Sequence, residues 1–401
     1  DRPDLNGFET AISLERLQDL SRALQELPEN FHLHPKLTKA RQRRSKWLED
    51  IRWPAIDWAQ AEELAFASIL EEGISIRMTG QDVLRGTFSQ RHAALFDYQS
   101  GQRYIPLQNL PQARASFEIH NSPLSELAAL GFEYGYSIQA PQRLVIWEAQ
   151  YGDFINGAQV MVDEFITTAR AKWLLKPGLV LLLPHGFEGQ GPDHSSARLE
   201  RFLSLYADEN LQVVNCTTAA QYFHLLRRQS RLIQQFPLPL VVMTPKSLLR
   251  HPLVASAAVD FTRGGFQPLL ADSTLPEQVE RILLCSGKVA VDLTVSEVRR
   301  QHPQTAIVRV EQLAPFPLQP LAALLQRYPN LQEVRWVQEE PQNMGAWEFV
   351  RPLIEEVWGK LLQVVSRPRS SSPAEGSNAL HLYNQQRLIR RAFSANPQEE
   401  E

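Results

Sequence analysis

The stretch LVLLL at residues 179–183, closed by Pro184, has no polar face. An unbroken apolar run of this kind is the pattern of a strand buried on both sides of a sheet, where both faces must meet apolar layers. Related runs recur along the chain as ISIRMTG, RLVIWEA, LQVVNC and PLVVMTP. Between them lie helix-period stretches: LSELAALGFEYGYSI, GAQVMVDEFITTARAKWL and TAAQYFHLLRRQSRLI, with WAQAEELAFASILEEG ahead of the first run. Strands alternating with helices predict a parallel sheet covered by helices on both faces. A second set follows, with strands RILLCSG, TAIVRVE and VRWVQEE and helices VAVDLTVSEVRRQ, LQPLAALLQRY and AWEFVRPLIEEVWGKL. The expectation is an α/β chain with two parallel-sheet domains at residues 54–248 and 249–401, preceded by a helical connecting arm over residues 1–53. In that arm Lys36, Lys39, Arg41, Arg43, Arg44 and Lys46 form a basic run, read as a solvated helix face or as a contact for an acidic partner.

Composition removes several classes. A length of 401 residues, 43% of them hydrophobic, is enough for two cores. The formal net charge of -4, well mixed, argues against a nucleic-acid surface. No apolar run reaches the length of a membrane span, so no membrane is expected. Cys216 and Cys285 sit beside apolar runs and read as buried thiols; no CxxC spacing marks a metal. The first residues lack a secretory signal pattern and begin without methionine, which points to processing or to a longer parent chain.

In open parallel sheets, ligands bind beyond the carboxyl ends of the strands. That rule selects the loops TGQDVLRGTF, EAQYGDFING and PHGFEGQGPDHSS. The first leads on to Arg91 and His92 and crowds them with Asp82 and Arg85, either as an Asp–Arg staple or as an anion site. The second carries Tyr151 and Phe154, as core or as a platform for a flat ligand. The third fits no HExxH zinc pattern, has no Walker lysine and no GxSxG elbow. Its His185 and His194 are better read as groups that hydrogen-bond an anionic substrate and shuttle protons. Glu126 opens an apolar helix and, from spacing alone, reads as a capping acid started from Ser122 or Pro123, or as a solvated one.

Several stretches, in order, resemble one family. GQDVLRGTFSQRHA, NSPLSELAALGFEYGY, IWEAQYGDFINGAQVMVDEFI, LLPHGFEGQGPDHSSARLERFL, QYFHLLRRQ, VMTPKSLLRHPL, LCSGKV, IVRVEQLAPFP and QEEPQNMGAW are similar to the C-terminal half of 2-oxoglutarate dehydrogenase E1 components and of the related 2-oxoadipate dehydrogenase E1. The resemblance implies a transketolase-like pyrimidine-binding domain followed by a transketolase C-terminal-like domain. It implies thiamin diphosphate as cofactor, decarboxylation of 2-oxoglutarate, and reductive succinylation of the lipoyl group on an E2 dihydrolipoyl acyltransferase.

The family's catalytic glutamate falls on Glu126. A carboxyl group bonded to the aminopyrimidine ring favours its imino form, which then acts as the base at the thiazolium carbon. Leu124, Gln150 and Phe154 would lie about that ring, His185 and His194 would face the reacting carbon, and Arg91 and His92 would approach the substrate. The family holds the diphosphate through magnesium on Gly-Asp-Gly and Asn-Asn motifs, and neither occurs here. No metal ligand is therefore expected in this chain. The chain is expected to be incomplete alone and to work as a homodimer or with a polypeptide carrying the diphosphate-binding domain. The alternatives are a 2-oxoadipate enzyme and a non-catalytic fragment or structural subunit. The expected compartment is the bacterial cytoplasm, or else the mitochondrial matrix.

Overall fold

The computed structural model describes Leu5 and residues 7–396. In chain order its strands are β1 (Ile76–Gly80), β2 (Leu95–Phe96), β3 (Arg103–Tyr104), β4 (Phe117–Asn121), β5 (Leu144–Glu148), β6 (Val180–Pro184), β7 (Gln212–Val214), β8 (Leu240–Thr244), β9 (Leu269–Ala271), β10 (Arg281–Cys285), β11 (Thr305–Val310), β12 (Gln312–Ala314), β13 (Glu333–Pro341) and β14 (Gln363–Arg367). The first four helices used below are α1 (Leu14–Gln25), α2 (Pro35–Arg44), α3 (Trp58–Glu71) and α4 (Glu126–Gln139).

The first sheet has the order β12-β7-β8-β6-β5-β1-β4. It is parallel except where β12 runs against β7. β6 is its central strand and every residue of it is buried, as an all-apolar run requires. The second sheet has the order β14-β13-β10-β11-β9, parallel apart from β9 against β11. The mainly parallel α/β architecture expected from the sequence is the one found.

Two layers of apolar packing flank the first sheet. On one face Ile76, Leu182, Val214 and Val242 pack with α1, α3 and the helix Ala219–Leu232. On the other, Leu181, Val213 and Met243 share a single core with Ile282, Leu284, Val308 and Trp336 of the second sheet. The first helix of the arm belongs to this packing. Ser13 caps it by accepting the Arg16 N–H, and Leu17, Leu20 and Leu24 are buried along one stripe.

Three local departures have clear causes. The stretch read as one helix over residues 157–174 is broken into a turn Gly152–Ala158, a short α-helix Gln159–Met161, a π-turn Val162–Ile166 and a last helix Ala169–Trp173. The Thr167 N–H and hydroxyl both donate to the Val162 carbonyl, which shifts the ladder to the wider spacing. α4 is capped by Ser125, not by Ser122 or Pro123, so Glu126 is its first residue and cannot close a capping box. Lastly, β4, β9, β12 and β14 are short or lie at sheet edges, and the apolar runs did not mark them.

Candidate active site

β8, β6, β5 and β1 are consecutive neighbours, with Pro184 in register with Thr244 and Gly80 with Glu148. Their carboxyl ends therefore open side by side, and the three loops selected from the sequence meet there. Close approach demands glycine at two points. A Cβ on Gly80 would lie 2.4 Å from the Glu148 carbonyl oxygen, and one on Gly152 would lie 2.6 Å from the Pro184 carbonyl oxygen.

Beyond Gly80 lies a small cleft lined by Gln81, Leu124, Glu126, Trp147, Glu148 and Gln150, among others. The Gln81 amide donates to Glu126 Oε1 at 3.0 Å. Oε2 faces Gly157, where an added Cβ would stand 3.7 Å away. Glu126 is half-buried in the first turn of α4, where the helix dipole favours a negative charge. Leu124, Leu127 and Phe132 beside it are exposed. Leu124, Glu126 and Gln150 thus share one cleft, and that cleft opens at an apolar surface.

A second group forms around His194. Its ring stands edge-on to Tyr151 at 4.2 Å between centroids and to Phe154 at 5.8 Å. Phe88, from the loop after β1, meets Tyr151 at 5.6 Å. One residue from each of the first and third loops is thereby joined to two from the second. Asp153 Oδ1 accepts the N–H groups of Ser195 and Ser196 at 3.3 and 3.0 Å, holding the turn that follows His194. Burial pushes the Asp153 carboxyl up, and its Oδ2 has no hydrogen-bond partner among the described residues. Lys246, buried at the end of β8, donates to the His194 carbonyl at 2.5 Å and to Gln190 at 2.8 Å. Burial lowers the Lys246 ammonium below its usual range. Ser247 in turn donates from its hydroxyl to Glu188 at 2.7 Å.

His185, expected to face a substrate, lies inside the protein. Its Nδ1 accepts the Ala197 N–H at 3.1 Å and its Nε2 meets Glu340 Oε1, at the end of β13, at 2.9 Å. The Ala197 contact places the proton of a neutral ring on Nε2. Burial alone would lower this imidazole, but the hydrogen bond and charge of Glu340 outweigh it and raise the pKa. Arg91 is likewise enclosed. Its guanidinium donates to Glu148 at 2.6 and 2.8 Å, to Glu62, and to the Val83 carbonyl. The Tyr222 hydroxyl donates to Glu62 at 2.8 Å. Burial opposes the charge on Arg91, yet the two carboxylates hold it well above the ordinary value. His92 is half-buried, and burial followed by the charges of Arg44 and Arg85 lowers its pKa.

Sequence reasoning singled out Glu126, Leu124, Gln150, Phe154 and His194 but not Gln81, Phe88 or Lys246. The local signals for those three were weak: a glutamine after a strand, one aromatic in a polar loop, and a lysine in TPKS. Among the described residues no cluster of three or more His, Cys, Asp or Glu side chains could hold a metal ion.

The geometry suits the pyrimidine end of thiamin diphosphate. Glu126 offers a half-buried carboxylate with one oxygen held by Gln81, next to exposed apolar side chains for a ring face. Residues 54–252 match the family described as transketolase, pyrimidine binding domain, and residues 255–393 match 2-oxoglutarate dehydrogenase C-terminal. The fold and these two matches place the chain in the transketolase-like class. The 2-oxoglutarate dehydrogenase E1 component of Geobacillus sp. (strain WCH70) is 50% identical over 397 residues, which covers 97% of this chain and 41% of that relative. That of Bacillus mycoides (strain KBAB4) is 49% identical over 399 residues, covering 97% and 42%. The chain belongs to the 2-oxoglutarate dehydrogenase E1 family, as its C-terminal portion, and spans about two fifths of the length of these curated relatives.

Proposed function

We propose that the chain supplies the pyrimidine-binding and C-terminal domains, at about residues 54–248 and 249–401, of an E1 that decarboxylates a 2-oxo dicarboxylate, 2-oxoglutarate in the first place, and passes the acyl group to the lipoyl group of an acyltransferase partner. The observation that carries this reading is the cleft in which Gln81 engages Glu126 beside Gln150 and Leu124, at the carboxyl end of β1. When bound there, thiamin diphosphate supplies the carbon nucleophile for the 2-oxo group and the electron sink for loss of carbon dioxide.

The chain's own residues have separable tasks. Glu126 would hold the ring nitrogen of the cofactor, with its Oε1 fixed by the Gln81 amide. Leu124 and Phe154 supply apolar surface for the cofactor, and Gln150 a polar contact. His194, braced by Tyr151 and Phe154, presents its ring to the acid substrate and stabilises charge there. His92 lies at the rim. His185 and Arg91 act from inside by holding the loops. The diphosphate and its magnesium are assigned to a region outside this chain. Leu124, Leu127 and Phe132, at and along the start of α4, are exposed apolar side chains against which a second copy, or the polypeptide carrying that region, would complete the site. No helix among the described residues is long and apolar enough to cross a membrane, and the cited relatives are bacterial, which supports a cytoplasmic assignment.

Replacing Glu126 with Gln in the assembled enzyme tests the reading. We expect turnover to fall by at least about a thousandfold, some ~4 kcal/mol of lost stabilisation, with an unchanged circular dichroism spectrum. Near-normal decarboxylation by the variant would overturn it.

A further inference from the structure

The arm carries a feature that the proposed chemistry does not use. α2, PKLTKARQRR, holds five cationic residues and no acid. Two of the cations of this region are committed inward. Arg41 is buried and donates to the Leu24 carbonyl at 2.5 Å, and Arg44 pairs with Glu63 at 3.0 Å. Lys36, Lys39, Arg43 and Lys46 are exposed, at intervals of three, four and three residues, and so continue along one side of the helix into the turn that follows it. Among the described residues none of these four forms an ion pair. In a chain of net charge -4 this is an uncompensated positive stripe.

Exposed aromatics border the stripe. Trp53, just after it, is 65% exposed. Phe96 and Tyr98 are also exposed, and they lie on the β2–β3 hairpin, which is seated against the residues before α2. The Tyr98 N–H donates to the His32 carbonyl at 2.9 Å, and the His32 N–H donates to Asp97. Exposed Trp, Tyr and Phe beside Arg43 have the character of a docking surface, and the three lysines add charge that steers an encounter. The patch is also coupled to the candidate site: Arg44 donates to the Gln90 carbonyl at 3.1 Å, within the loop that carries Phe88 and His92.

We propose that this patch docks the acidic face of the carrier domain that brings the acyl-accepting dithiolane to the site; this rests on the acyl-transfer reading above. The choice of occupant follows from the character of the surface. An obligate subunit contact is apolar, and the α4 face already has that character, whereas a partner that must arrive and leave at every turnover is better served by charge, which raises the encounter rate without fixing the complex.

The test is charge reversal in the assembled enzyme, with Lys36→Glu, Lys39→Glu, Arg43→Glu and Lys46→Glu combined, and a second variant, Phe96→Ser with Tyr98→Ser. Each is assayed with the isolated lipoyl-bearing domain and, separately, with ferricyanide as a small oxidant in place of that domain. We expect kcat/KM for the carrier domain to fall by about tenfold or more at low salt in the charge-reversed enzyme and to lose its salt dependence, while the ferricyanide rate stays within about twofold. An unchanged carrier rate, or an equal fall in both assays, would sink the proposal. So would an oligonucleotide that binds the unaltered enzyme through the stripe while the carrier domain does not. If the unaltered enzyme failed to oxidise a 2-oxo acid with ferricyanide, the acyl-transfer reading would fail by itself. Calorimetric titration with the carrier domain would still decide the docking surface.

Discussion

At the scale of single residues, the divide is between side chains that are held and side chains that are offered. Arg91 and His185 stand in the two most conspicuous polar loops, and both are consumed by internal partners. Glu126 and His194 are half-buried and keep part of their surface toward the cleft and the aromatic cluster. A sequence shows residue type and spacing but not whether a charge already has a partner, because Glu62, Glu148 and Glu340 lie 29, 57 and 155 positions from the residues they neutralise. The difference is measurable. Arg91→Met leaves two buried carboxylates facing each other, and we expect it to destabilise the fold by about 3–5 kcal/mol in urea titration. A raised KM at full stability would instead return Arg91 to the substrate.

At the scale of elements, long buried strands and capped helices were legible, and short edge strands were not. β5, β6 and β8 are buried at every position, so apolar runs announced them. β12 has three residues and exists because β7 offers an open edge, which no local pattern encodes. The helix Asn378–Phe393 ends in the basic pair Arg390 and Arg391, and Leu388, Ala392 and Phe393 anchor it against Leu283 and Ile307. α1 was read as part of a polar arm, yet Leu17 is fully buried in the first core. Leu17→Ala is therefore expected to cost about 2–5 kcal/mol, read as a lower denaturation midpoint. A loss below about 0.5 kcal/mol, the size of an ordinary surface substitution, would show that α1 is a detachable arm.

At the scale of the whole molecule, the two sheets behave as one packed body with polar ties across the junction. Leu181 and Met243 share a core with Ile282 and Trp336. Glu340, at the end of β13, reaches His185 at the end of β6, and the Gly345 N–H donates to Glu200 at 3.0 Å. The His185 tie is pH-sensitive: the charge of Glu340 favours the protonated ring, against the Ala197 N–H that donates to Nδ1 of the neutral one. Its folded pKa is raised, so its contribution is complete below the unfolded value of ~6.5 and is lost as pH rises through the higher folded value. Glu340→Gln keeps an acceptor for Nε2 but removes the charge. The stability gap between the native protein and this variant should be widest near pH ~6 and narrow toward pH ~9 in denaturant titrations. A gap that does not change with pH would show that the charge on Glu340 plays no part.

Local pattern along the chain was enough for the class of fold. Burial on both faces of a strand forces an unbroken apolar run, helix packing forces a 3.6-residue period, and both are written locally. It also pointed to the loops beyond the strand ends and, through a resemblance, to Glu126. Which polar groups remain open to the clefts depends on contacts between distant parts of the chain. Once β1, β5, β6 and β8 stand side by side, Gln81 reaches Glu126, Tyr151 and Phe154 brace His194, and Glu340 closes over His185. The physical reason is that a buried charge or donor must find a partner, and in a parallel sheet that partner lies on a neighbouring strand or in another domain, far away along the chain.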